Sequence, residues 1–127
     1  MKGTARWAAE DLGAIADVDE VGVAPIRADG SLRPYTTIWV VRAGDELYAR
    51  SWRGRQGRWY RDALAQRKGR VRAGVTERDV SFEEVAGADQ VCIDEAYTQK
   101  YARHAGTYVE AMVSPVARAT TLRLLPR

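Results

Sequence analysis

The sequence predicts an α+β fold or a small barrel, with about six mainly antiparallel strands and flanking helices. Three observations carry this. Hairpin-type turn signals, Asp29-Gly30 and Gly44-Asp45, separate strand-like runs. Residues 33–42 are rich in β-branched and aromatic side chains, the composition of a strand. The helical stretches stand between hairpins, without the strict strand–helix alternation of a parallel sheet.

Each element follows from its local pattern. Residues 6–16 read as a helix capped by Thr4, with Trp7 or Ala8, Leu12 and Ile15 on its buried stripe. Residues 20–27, with Val21, Val23 and Ile26, read as the first strand, and residues 28–31 as a turn. Residues 33–42 carry large groups on both faces, which predicts a central strand. Residues 47–52 form the third strand, with Tyr48, Arg50 and Trp52 on one face and Leu47, Ala49 and Ser51 on the other. A helix over 58–67 ends at Lys68-Gly69. Strands follow over 70–74 and 79–85, joined by a turn at Thr76-Glu77-Arg78. Residues 89–103 make a helix in which Ala96, Tyr97 and Tyr101 recur at helical spacing. A short helix over 108–113 stops at Ser114-Pro115, and residues 118–125 form the last strand.

The 127 residues are most simply one domain, long enough to bury a real core. No apolar run approaches the roughly 20 residues of a membrane span. The N-terminus lacks the apolar centre of a signal peptide, so a cytoplasmic protein is expected. Cys92 is the only cysteine and is expected to be buried; His104 is the only histidine. One of each excludes a structural zinc site, which needs about four such ligands. No nucleophile elbow accompanies His104. No residue is marked as an acid, base or nucleophile.

Residues 50–62 hold the strongest functional signal. Five arginines and one aspartate give the stretch a charge of +4, against +3 for the whole chain. Trp52, Trp59 and Tyr60 are interleaved with the arginines. A cationic, glycine-containing loop that leads into a helix N-terminus suits a phosphate. The aromatic rings can cover what the phosphate is attached to. The same arginines can equally form a solvated face.

Residues 26–74 resemble the split β-barrel flavoproteins, in particular the deazaflavin-dependent nitroreductase-like branch. The likeness lies in an ordered pattern: Asp29-Gly30; Arg33-Pro34 opening a long strand; Gly44-Asp45; Tyr48-Ala49-Arg50-Ser51; a glycine-containing loop; then Trp59-Tyr60 and Ala63-Leu64-Ala65. Ala96-Tyr97 and Lys100-Tyr101 are similar to a helix of that superfamily. Within it the sequence most resembles a small bacterial family, domain of unknown function 2255.

The resemblance implies a split β-barrel, a homodimer, and a flavin (FMN) or deazaflavin (F-420) cofactor. It implies hydride transfer to a small organic substrate of unknown identity. Arg50, Ser51 and Arg53 become candidate phosphate ligands. Gly54 allows close approach, and Trp59 and Tyr60 line the pocket. Arg33 opens the strand that carries Thr36, Thr37 and Ile38 to the ring edge. The pattern departs from the family at Gly57, where a proline is usual, and at Asp62, where an asparagine is usual. A carboxylate beside a phosphate is unfavourable unless Asp62 pairs with Arg58 or Arg61. Two alternatives stay open: a barrel that has lost its cofactor, and a single-stranded nucleic-acid module using stacking plus charge. The 17 acidic residues spread along the chain disfavour the latter.

Overall fold

The computed structural model describes residues 6–85, 90–102 and 107–127. Thr4, Asp89, Arg103 and His104 lie outside the described residues.

The first helix, α1 (Ala9–Ala16), starts later than its sequence pattern suggests. Trp7 is an anchor just before it: the ring is buried and its Nε1 donates to Leu124 O at 2.8 Å. Leu12 and Ile15 face the core as expected. Strand β1 (Val21–Pro25) follows, and Ile26 bridges to Leu32 across the Asp29-Gly30 turn. Gly30 has φ of 89°, which explains the glycine there.

The expected central strand over 33–42 is two strands. β2 (Thr36–Ile38) pairs with β1, and β3 (Val40–Ala43) pairs with β4 (Glu46–Ala49). Only Trp39 separates them. Strands β5 (Lys68–Ala73), β6 (Thr76–Glu84) and β7 (Leu122–Pro126) complete one seven-stranded antiparallel sheet in the order β2-β1-β5-β6-β7-β4-β3. The run that looked central therefore supplies both ends of the sheet. It bends at Trp39, so the sheet curls into a nearly closed barrel. β-Branched composition reports extended backbone but does not say which strand is the neighbour.

Other boundaries move for local reasons. β4 stops at Ala49, so strand alternation does not reach Trp52: Arg50 is buried and Trp52 is exposed. The helix α2 (Arg58–Gln66) ends at Arg67, which takes the left-handed conformation, and Lys68-Gly69 belong to β5. A Cβ at Gly69 would stand 2.6 Å from Ala24 O, so close strand packing, not helix termination, explains that glycine. The turn expected at 76–78 is strand; the chain reverses at Gly74, with φ of 60°. After α3 (Gln90–Lys100) and α4 (Thr107–Met112), Ser114 caps a one-turn helix, α5 (Pro115–Arg118), and the last strand, expected from 118, starts only at Leu122. Cys92 is exposed on α3 rather than buried.

Two cores result. The larger lies between the sheet, α1 and α2 and includes Ile15, Val23, Trp59, Ala63, Phe82 and Leu122. The smaller lies under α3 and includes Val41, Tyr48, Ile93, Tyr97 and Tyr101. Tyr97 Oη donates to Trp39 O at 2.9 Å, and Tyr101 Oη to Asp19 O at 2.7 Å. α3 is thereby tied to the bend between β2 and β3.

Candidate functional site

A cleft of about 1240 Å³ opens between the β1–β2 hairpin, the loop after β4, the start of α2 and the end of α4. Its polarity follows the direction of β1. Asp19 and Glu20 line it just before that strand, and Arg27 and Arg33 line it around the following turn. At ~3.3 Å per strand residue, Glu20 and Arg27 are roughly 20 Å apart. One end is acidic and the other cationic.

The cationic end is lined by Arg27, Arg33, Arg53 and Arg58, the last of which opens α2. Gly57 is the N-cap, and no side chain among the described residues caps the helix. The first intrahelical bond is Arg61 N–H to Gly57 O, at 3.1 Å. The amides of Arg58, Trp59 and Tyr60 thus have no acceptor within the helix, and the helix end carries partial positive charge. A Cβ at Gly57 would overlap Ser51 Oγ, so the usual proline is replaced here by a residue that lets the loop close against Ser51. Asp62 lies between two of the cations: its Oδ2 is 3.5 Å from Arg33 Nε and 4.0 Å from Arg58 Nε. Arg58 was an expected partner; Arg33, from a distant segment, was not.

The middle of the cleft is walled by Thr36, Thr37 and Ile38 of β2 and by Trp39. Thr36 and Thr37 are exposed. Trp39 stacks on Tyr101, with ring centroids 3.9 Å apart and planes within 5°. That stack fixes the wall from behind. Desolvation raises the hydroxyls of Tyr97 and Tyr101 far above the ordinary tyrosine range, so both stay protonated. Burial lowers the neighbouring Lys100 to about 8, while its Nζ donates to Val40 O at 2.5 Å.

Of the residues singled out in the sequence, Arg33, Thr36, Thr37, Ile38, Arg50, Ser51, Arg53 and Trp59 line the cleft. Gly54 and Tyr60 do not. Gly54 has φ of 64° and packs behind the loop against Val116. Tyr60 is buried, and its hydroxyl has no hydrogen-bond partner among the described residues.

Arg50 reaches the cleft but is 1% exposed and fully engaged. Nε donates to Thr121 Oγ1 at 2.9 Å. Nη1 donates to Asp94 Oδ1 at 2.5 Å and Met112 O at 3.0 Å, and Nη2 to Gln90 Oε1 at 2.6 Å. Asp94 also pairs with Arg118, at 2.5 Å, rather than with Lys100. This network staples α3, α4 and α5 to the end of β4. Arg53 is exposed, its guanidinium 5.0 Å from the Trp52 ring. The sequence reading missed Arg27, Asp19, Glu20 and Met112 as lining residues. Arg27 had a signal, since it flanks the turn before Arg33; Met112 had none.

The barrel and its cleft define a split-barrel protein. Residues 11–124 match a family described as an uncharacterized protein conserved in bacteria, DUF2255, and the chain belongs to that family. No curated protein matches the sequence. Solved structures share the fold at low identity. A heme storage protein, HutZ, from Vibrio cholerae is 12% identical with a TM-score of 0.63, covering 96% of this chain and 91% of its own. An FAD-binding protein from Mesorhizobium loti is 17% identical with a TM-score of 0.54, covering 95% and 91%. An F-420 reductase is 16% identical with a TM-score of 0.55, covering 94% of each chain. Among the described residues no helix is long and apolar enough to cross a membrane.

Proposed function

We propose that the cleft binds a flavin-type cofactor, FMN or the deazaflavin F-420, and that the protein is an oxidoreductase acting on a small organic molecule. The observation that carries this is the cationic end. Arg33 Nε is buried there without a hydrogen-bond partner among the described residues, beside Arg53, Arg58 and the uncapped amides of α2. Such a donor set suits a phosphate. The cleft, at about 1240 Å³, exceeds the ~300–1,000 Å³ of an ordinary ligand site, which leaves room for a cofactor and a substrate together.

In this reading Arg33, Arg53, Arg58 and the α2 amides hold the phosphate. The Ser51 hydroxyl and Gly57 shape the floor beneath it. Thr36, Thr37, Ile38 and the Trp39 wall face the ring system and exclude water from one side. Arg50 positions the wall through Met112 and Asp94 and does not ligate, because its donors are already used. A bound flavin or deazaflavin ring supplies the hydride chemistry, and the protein supplies orientation and electrostatics. The family resemblance and the exposed Trp52 and Val116 beside the cleft support a homodimer, which sedimentation checks directly.

A nucleic-acid strand fits less well. Asp19, Glu20 and Asp62 line the same cleft and repel a polyanion along its length. Titration of the protein with FMN, F-420 and riboflavin tests the proposal. Saturable binding of a phosphate-bearing cofactor, weakened by Arg53→Ala with Arg58→Ala, is the expected result. Absence of any binding leaves a barrel that has lost its cofactor.

A further inference from the structure

We propose that Asp62 is a built-in competitor of the ligand phosphate. Its carboxylate stands at the cationic end, keeps Arg33 and Arg58 in place, and is displaced when a phosphate-terminated ligand enters. The inference rests on the cleft being the phosphate site proposed above.

The geometry is that of a stand-in and not of a settled ion pair. Charge-assisted hydrogen bonds between arginine and carboxylate are about 2.7–2.9 Å long. This molecule makes such contacts elsewhere: Arg50 to Asp94 is 2.5 Å, Arg70 to Asp79 is 2.9 Å, and Arg78 to Asp11 is 2.9 Å. Asp62 instead sits 3.5 Å from Arg33 Nε and 4.0 Å from Arg58 Nε. It balances charge without closing a hydrogen bond to the buried Arg33 Nε, which is left without an acceptor among the described residues. A buried donor left unmade is costly, so Arg33 is held in reserve for a better acceptor. A phosphate has more acceptor oxygens and more charge than one carboxylate. It can close the bond to Arg33 and engage Arg58 together. The surroundings favour the exchange: Asp62 is partly exposed, with a side chain 22% accessible, so its carboxylate can rotate into water when displaced.

The consequence is a cleft whose affinity for phosphate is deliberately reduced by one of its own side chains. Replacing Asp62 with asparagine, the residue usual in similar sequences, removes the competing charge and keeps the shape.

The test is titration of the wild-type protein and Asp62→Asn with inorganic phosphate, FMN and riboflavin. Inorganic phosphate and FMN should bind Asp62→Asn about tenfold more tightly, the effect of one nearby like charge in a partly wet site, while riboflavin binding stays unchanged. Asp62→Ala should change affinity in the same direction, which guards against a folding defect peculiar to one variant. Equal or weaker phosphate binding in both variants overturns the inference, since Asp62 then only positions Arg33. The two readings separate cleanly. FMN bound equally by both proteins keeps the flavin site and removes the competitor. Tighter inorganic phosphate with no FMN binding keeps the competitor and removes the flavin.

Discussion

Arginines of one short stretch divide into two kinds. Arg50, at the end of β4, is buried and spends its donors on Asp94, Gln90, Thr121 and Met112. Arg53, Arg55 and Arg58, a few residues on, are exposed, and the bonds of Arg53 and Arg58 are loose: a ring at 5.0 Å and a carboxylate at 4.0 Å. The difference comes from where the strand stops. Arg50 follows Ala49 directly and points under α3, where only a fully bonded guanidinium is tolerated. Arg53 and Arg55 lie on the loop closed by Gly54 and Gly57, Arg58 opens α2, and all three face water. Donor commitment, not residue type, separates an arginine that holds the fold from one free to hold a ligand.

The largest expected effect is at Arg50. Arg50→Met should cost about 3 kcal/mol in chemical denaturation, at the low end for a broken buried pair because Asp94 keeps Arg118. A loss below 0.5 kcal/mol would show that the buried network holds nothing. Gly57→Ala comes next. Its Cβ overlaps Ser51 Oγ, so about 1–3 kcal/mol of stability and part of the phosphate affinity should go together. Loss of stability without loss of affinity would detach the loop closure from the site.

Arg53→Ala with Arg58→Ala should do the reverse of Arg50→Met. Stability should move by no more than about 0.5 kcal/mol, as for ordinary surface changes. FMN affinity should fall by about tenfold or more, on the scale of charged hydrogen bonds. Salt gives the mildest contrast. Raising ionic strength from about 0.05 to 0.5 M should weaken phosphate binding and leave the melting temperature nearly unchanged, because exposed charges are screened and buried ones are not.

The fold was legible where patterns are local. The hairpin glycines, the Leu12 and Ile15 stripe and the helix over 58–67 fell where the sequence put them. The split at Trp39 was not legible, because strand composition carries no information about pairing partners. The part of the cleft lined by Arg33, residues 36–38, Arg50, Ser51, Arg53 and Trp59 was legible through the ordered resemblance and through the strand–loop–helix pattern. The engagement of Arg50 was hidden because Asp94, Gln90, Thr121 and Met112 come from distant segments. The pairing of Asp62 with Arg33 was hidden for the same reason: those two residues meet only when β2 and α2 pack on β1.

The most direct measurement is a spectroscopic titration of the purified protein with FMN and F-420, with riboflavin as the phosphate-free control. Saturable, micromolar binding of a phosphate-bearing cofactor is expected, lost in the Arg53 and Arg58 double variant and weak for riboflavin. No binding of either cofactor, or binding indifferent to the phosphate, would contradict it.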